Sequence, residues 1–234
     1  MLENSSTDLV SDEGRGGLVM KKILMVMIAL VFLFGCAGVP VRPAMKEDIN
    51  TPAGKIEGNQ FTGIRYPFKV SVPPHWKMST QFPDFLEELG FDKPSPTDKE
   101  QTELYAYSPG TKSNINFDFT PAGRYSTFSQ EKIEWMTTVA TESLKSELEK
   151  EHGQGAVKVD VASTEPFSLK GVQFAAKKSV TYVVKGQKRE HGWIYGFTEP
   201  YQLFIIYMIF EIPGNSEHED LKKILDSFEF IPKK

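Results

Sequence analysis

Cysteine is almost missing from this chain of 234 residues: Cys36 is alone. No disulfide can form within one chain, and a cysteine-rich zinc site is excluded. A lone cysteine in an oxidising compartment is a liability, so Cys36 needs a reason. Long apolar runs are missing too. The longest, 23–34, has about a dozen residues, whereas a membrane-spanning helix needs roughly 20. Charge of one sign is also lacking: 27 Lys and Arg face 31 Asp and Glu, a net charge of -4. Nucleic acid calls for a concentrated basic face, so no nucleic-acid partner is expected. The chain contains no Gly-x-Ser-x-Gly elbow, phosphate-binding loop or dinucleotide fingerprint, and no cofactor is expected.

What is present begins with an export leader. Met20-Lys21-Lys22 precedes the apolar run, and the run closes on Leu33-Phe34-Gly35-Cys36. A short basic region, a short apolar core and a small residue before the processing point are the parts of a signal peptide. The last four residues resemble the bacterial lipobox, with Leu three before the cysteine and Gly35 directly before it. Phe34 is bulkier than the residue usual there. Cleavage is expected between Gly35 and Cys36, with lipid on Cys36 holding the protein to a membrane on the extracytoplasmic side. A diacylglyceryl group anchors stably where a single acyl chain binds only marginally. Ala37 is not the Asp associated with inner-membrane retention, which favours the outer membrane where there are two. Residues 1–19 are polar and acidic and read as an extension ahead of a start at Met20. Without residues 1–35 the net charge is -3.

Residues 36–58 are rich in Pro and Gly and read as a tether, with one globular domain over 59–234. Strands are expected over 61–66 and 68–72, stopped by Pro73-Pro74. The segment 82–89 reads as one or two helical turns, and 90–100 as a loop. A hairpin is expected from 102–107 and 114–120 around Pro109-Gly110, with Ile115, Phe117 and Phe119 on the buried side. The longest helix spans 129–151. Its apolar stripe is Ile133, Met136, Val139, Ala140, Leu144 and Leu148; Thr127 and Gln130 supply a capping box, and Gly153 and Gly155 the stop. Strands over 157–162, 167–169 with 172–184, 188–197 and 202–212 form an antiparallel meander, turning at Lys170-Gly171, Lys185-Gly186-Gln187 and Glu199-Pro200. Residues 203–210 are almost continuously apolar, so that strand is covered on both faces. A helix over 216–227, capped by Ser216 and Glu219, closes the chain ahead of Phe228-Glu229-Phe230. The class is α+β, one antiparallel sheet with helices on both faces, a three-layer α/β/α sandwich.

The run Gly63-Ile64-Arg65-Tyr66-Pro67-Phe68-Lys69-Val70-Ser71-Val72-Pro73-Pro74-His75-Trp76 resembles the opening of the PsbP-like family, where a strand pair ends in a Val-Pro-x-x-Trp turn. The middle helix, the meander and the closing Ser227-Phe228-Glu229-Phe230 agree with it over about residues 59–232. The resemblance implies the same sandwich, which is shared by photosystem-associated lumenal proteins, a nuclear Ran-binding protein and small bacterial lipoproteins. It further implies a role in binding or assisting other proteins rather than in catalysis, and it carries over no individual site residue.

Few residues invite chemistry. His75, His152, His191 and His218 have no ligand spacing among them, so no metal site is expected. His191 follows Glu190 on a strand, which sends the two side chains to opposite faces. Asp118 reads as a solvated carboxylate, and Trp76, Trp135 and Trp193 as core. The segment 195–201, from Tyr195 through Pro200 to Tyr201, is a candidate rim for a groove at a hairpin end. The expected function is a lipid-anchored binding or assembly module with a protein partner, not an enzyme. The alternative is a carrier of a small apolar ligand held between sheet and helix.

Overall fold

The structure, a computed structural model, describes residues 41–42, 50–95, 102–153 and 157–231. The leader, the processing point at Gly35 and Cys36, and Ala37 lie outside the described residues, as does Gly155. Among the described residues no helix is long and apolar enough to cross a membrane.

Among the described residues, strands form two antiparallel sheets. The smaller has four strands in the order β1 (Gly54–Glu57), β2 (Gln60–Gly63), β3 (Phe68–Ser71) and β12 (Glu229–Phe230). The larger runs β4 (Lys77–Ser79), β5 (Thr102–Tyr107), β6 (Asn114–Pro121), β11 (Tyr201–Phe210), β10 (Gln187–Thr198), β9 (Phe174–Val184) and β7 (Val159–Val161), with β8 (Glu165–Pro166) also paired to β9. Among the described residues there are three helices: α1 (Phe85–Glu88), α2 (Gln130–His152) and α3 (Glu217–Ser227).

The expected meander is β9–β10–β11. Its first turn has two central residues, Lys185 at φ 51° and Gly186 at φ 77°, the two positive angles that let a two-residue hairpin follow the strand twist. Its second turn places Glu199 and a cis Pro200 between the paired Thr198 and Tyr201. The hairpin of β5 and β6 also forms as expected, pairing Tyr107 with Asn114.

Residues of β11 alternate between two cores. Leu203, Ile205, Tyr207 and Ile209 point to one side and pack against Phe68, Phe117, Leu221, Ile224 and Phe228. Phe68, Phe117 and Phe228 stack with ring centroids 5.8–6.1 Å apart. Gly192 leaves room on this side for the Tyr207 ring, which a Cβ there would meet at 2.1 Å. The opposite face lies under α2, where Leu144 and Leu148 meet Val180, Tyr182 and Trp193, and Ile133 meets Ala176 and Phe197. Helices thus cover both faces of an antiparallel sheet, the α+β class expected.

Several details differ from expectation. There is a second sheet, so the layer containing α3 is helix and strand together; its strands of two to four residues are too short to announce themselves by alternation. Sheet structure begins at Gly54, within the segment read as tether, and Arg42 in that segment is buried. On α2 the capping residue is Ser129, whose hydroxyl accepts from the Lys132 amide at 3.3 Å; Gln130 instead donates its side-chain amide to the Ala175 carbonyl at 2.9 Å. Val139 and Trp135 are exposed on the outer face of α2. At about 100° per residue Val139 stands roughly 120° from Ile133, whereas Thr137 falls within the stripe and returns its hydroxyl to the Ile133 carbonyl at 2.8 Å. At α3 Ser216 makes no bond to a backbone amide; its hydroxyl donates to Asp220, and Glu219 is exposed.

A candidate ligand-binding groove

Period-2 alternation places Arg189, His191 and Trp193 in succession on the α2 face of β10. Opposite them on β11 stand Phe210, Met208 and Ile206, and on β9 Tyr182, Val180 and Lys178. The long helix does not close fully over this floor. Between them lies a groove of about 690 Å³, walled by Leu144, Glu147 and Leu148 of α2 and ended by residues 87–91, the end of α1 and the turn after it. Phe204 and Ile206 of the apolar strand β11 remain only partly buried because they line this opening.

His191 is the unusual member of the floor. It is 8 % exposed, and neither ring nitrogen has a hydrogen-bond partner. The imidazole lies flat on Trp193, with centroids 4.8 Å apart and planes 15° apart, and Phe91 approaches at 6.1 Å. Burial lowers its pKa to about 4, so the ring is neutral near pH 7, with one donor and one acceptor unspent. An unsatisfied buried polar group costs about 1–3 kcal/mol. Two strand positions away on the same face, the half-buried Arg189 holds its guanidinium over the Phe210 ring at 4.9 Å, and its Nε also lacks a partner. Acids stand at the rim, where Glu88 is engaged by Lys112 at 2.8 Å.

The face continues to a second site of opposite character. Arg42 is 5 % exposed and spreads its guanidinium over Phe128 and Phe197, 5.4 and 5.1 Å from the ring centroids. Its Nε donates to Glu199 at 2.7 Å, its Nη1 to the carbonyls of Gly123 and Ser126, and its backbone amide to Arg124 at 2.9 Å. This arginine fills a pocket of its own chain. Nothing in the sequence around it, all Pro, Gly and scattered charge, marks it out.

The remaining candidates are dispersed. The other histidines stand apart: His75 pairs with the buried Asp220 at 2.9 Å, His218 lies 3.6 Å from Glu190, and His152 reaches the edge of the groove. Glu190 and His191 take opposite faces as alternation requires; Glu190 accepts from the Tyr207 hydroxyl at 2.8 Å. Among the described residues no three His, Cys, Asp or Glu side chains converge as a metal site would need. Asp118 is not simply solvated. It is half-buried beside Tyr195 in a second cavity of about 530 Å³, where burial first and Asp118 second raise the tyrosine's pKa. The segment 195–201 forms no single rim: Tyr195 stacks on Phe204 at 4.2 Å, whereas Tyr201 turns to the other face against Tyr66. Trp76 and Trp193 are core residues, but Trp135 is 65 % exposed.

No family model matches this chain, and no curated protein matches it. Among solved structures it is similar to the solution structure of cyanobacterial PsbP (CyanoP) from Synechocystis sp. PCC 6803, with 9 % identity over 77 % of this chain and 100 % of that one, at a TM-score of 0.48. It is also similar to the crystal structure of LpqN, described as involved in cell envelope biogenesis of Mycobacterium tuberculosis, with 11 % identity over 71 % of this chain and 84 % of that one, at a TM-score of 0.45. No residue role is carried over from either.

Proposed function

We propose that this chain is an exported lipoprotein, processed before Cys36 and lipidated there, whose domain is a binding module that takes a small, largely apolar ligand into the groove under α2. The groove carries this reading. Its volume of about 690 Å³ falls within the range of roughly 300–1,000 Å³ usual for small-molecule sites, and its lining mixes the apolar Phe91, Leu144, Leu148 and Trp193 with polar groups, among which the His191 ring nitrogens and Arg189 Nε have no partner. Leader and groove together support the reading of a protein held at an extracytoplasmic membrane face that retains a ligand there.

Two measurements test the two halves. Cys36→Ser should shift the protein from the membrane fraction to the soluble one while leaving the thermal transition of the domain in place; equal membrane retention would remove the anchor. A screen of apolar compounds against the full-length protein should return groove binders that perturb Trp193 and not Trp76. Perturbation of neither tryptophan by any of them would remove the ligand.

A protein partner is the second reading, favoured by Trp135 and Val139. They are 65 % and 46 % exposed and stand one helical turn apart on the outer face of α2. Placing a photoreactive residue at Trp135 in cells should then yield a discrete crosslinked species.

A further inference from the structure

The unpaired atoms of the groove say more about its occupant than its volume does. The floor offers, side by side, an imidazole with neither nitrogen bonded and a guanidinium whose Nε is unbonded. Among the described residues no ion pair involves Arg189. Four of the side chains that line the groove with them are rings: Phe91, Tyr182, Trp193 and Phe204. We propose, resting on the groove as a ligand site, that the occupant is an aromatic carboxylate. Its planar apolar body lies among these rings, and its carboxylate accepts from the N–H of His191 and from Nε–H of Arg189 once both side chains, whose nitrogens are buried in the free protein, turn toward the groove.

The physical argument has three steps. First, a buried donor left without a partner is costly, so an occupant that accepts from it recovers that cost on binding. Second, a carboxylate is the acceptor that suits both groups at once. It has two oxygens and roughly four lone-pair positions, and bonds from guanidinium to carboxylate are about twice as strong as neutral ones. A cationic occupant would meet Arg189 with like charge, and a purely apolar one would leave all three nitrogens buried and unpaired. Third, a flat ring system suits four aromatic walls better than a flexible chain, because ring pairs gain offset or edge-on contacts beyond their buried area and lose fewer rotamers on ordering. The acids at the rim are offset in part: Glu88 is paired with Lys112, and Lys185 faces the same opening as Glu87 and Glu147, so the carboxylate must sit deep beside Arg189 and away from them.

The test uses the full-length lipidated protein in phospholipid nanodiscs and two probes of equal body and different head, 2-naphthoate and 2-naphthylmethanol. Calorimetric titration near pH 7 should show naphthoate binding at least ~10-fold more tightly than the alcohol. Arg189→Met should remove at least ~10-fold of the naphthoate affinity while leaving the alcohol within about twofold, the size expected for one charge-assisted hydrogen bond. His191→Phe keeps a flat aromatic ring against Trp193, slightly larger than the imidazole, and should weaken naphthoate while leaving the alcohol unchanged or tighter. Nitrogen-15 labelling of the four histidines should show the His191 imidazole resonances moving with naphthoate. If both probes bind wild type equally, and Arg189→Met affects neither, the carboxylate assignment is overturned while the groove remains a ligand site. If neither probe binds wild type and no His191 resonance moves, the aromatic carboxylate is overturned; Trp193 perturbed by other apolar compounds would then keep the groove alone.

Discussion

Arg42 and His191 lie toward opposite ends of one face of β10, and both are more than nine-tenths buried. Six residues separate His191 from Phe197, on which Arg42 rests, roughly 20 Å along the strand. The arginine has a carboxylate, two carbonyls and two aromatic faces around it. The histidine has a tryptophan beneath it and no hydrogen bond. Burial therefore does not separate structure from function here; satisfaction does. A buried polar group with its partners in place stabilises the fold, while one without them destabilises the free protein and can be relieved only by something that binds.

The contrast breaks most sharply with pH. His191 has its folded pKa lowered to about 4 against about 6.5 when unfolded. Between those values the unfolded chain binds the proton and the folded chain does not, so stability falls as pH falls from about 6.5 to about 4 and is unaffected by this group outside that window. The depth is on the order of 3 kcal/mol. Urea unfolding at pH 7 and near pH 4 should show wild type losing about that much more than His191→Phe, whose other titrating groups are the same. Equal losses would mean that the imidazole is solvated.

Arg42→Ala is expected to have the next effect, a loss of about 2 kcal/mol at pH 7. The pairing with Glu199 contributes little, because that carboxylate is 54 % exposed and screened. Most of the loss comes from the charge-assisted bonds to the carbonyls of Gly123 and Ser126, which the substitution leaves without their donor. His191→Phe should move stability the other way at pH 7, raising it by about 1 kcal/mol, since two unpaired nitrogens are removed from an aromatic environment. Opposite signs for two buried basic residues would be the plainest demonstration that one is structural and the other is not. Destabilisation by both would make His191 an ordinary core residue.

The class of fold was legible because its longest elements obey simple periods. β9, β10 and β11 turn where Lys185-Gly186 and Glu199-Pro200 stand, and the continuous apolar run of β11 is indeed covered from both sides. The small sheet was hidden, because β12 has two residues and β1 has four, mostly exposed, too few for alternation to emerge. The groove was half legible. Alternation separated His191 from Glu190, and a pocket between sheet and helix was the alternative expected, but whether α2 closes over that face depends on how a helix lies across a sheet, which period alone does not determine. Arg42 was not legible at all: its partners come from residues 81 to 157 positions later, and no local pattern encodes so long a reach.

The smallest effect expected is the one that best separates the two binding readings. Trp135→Ser alters a side chain 65 % exposed on the outer face of α2, away from the stripe of Ile133, Leu144 and Leu148 that holds the helix to the sheet. Such surface changes usually fall within about 0.5 kcal/mol, so the thermal transition should barely move. Its neighbour Val139 is exposed as well, and the pair places apolar surface where water, not the core, surrounds it. If a protein partner docks there, Trp135→Ser should abolish its crosslink while naphthoate still titrates the groove with unchanged affinity. If the groove alone is functional, the same substitution should change neither stability nor binding, and the wild-type protein should give no crosslink at that position. A drop in naphthoate affinity would instead show that the outer and inner faces of α2 are coupled, and the distinction between a satisfied scaffold and an unsatisfied groove would have to be redrawn along the helix.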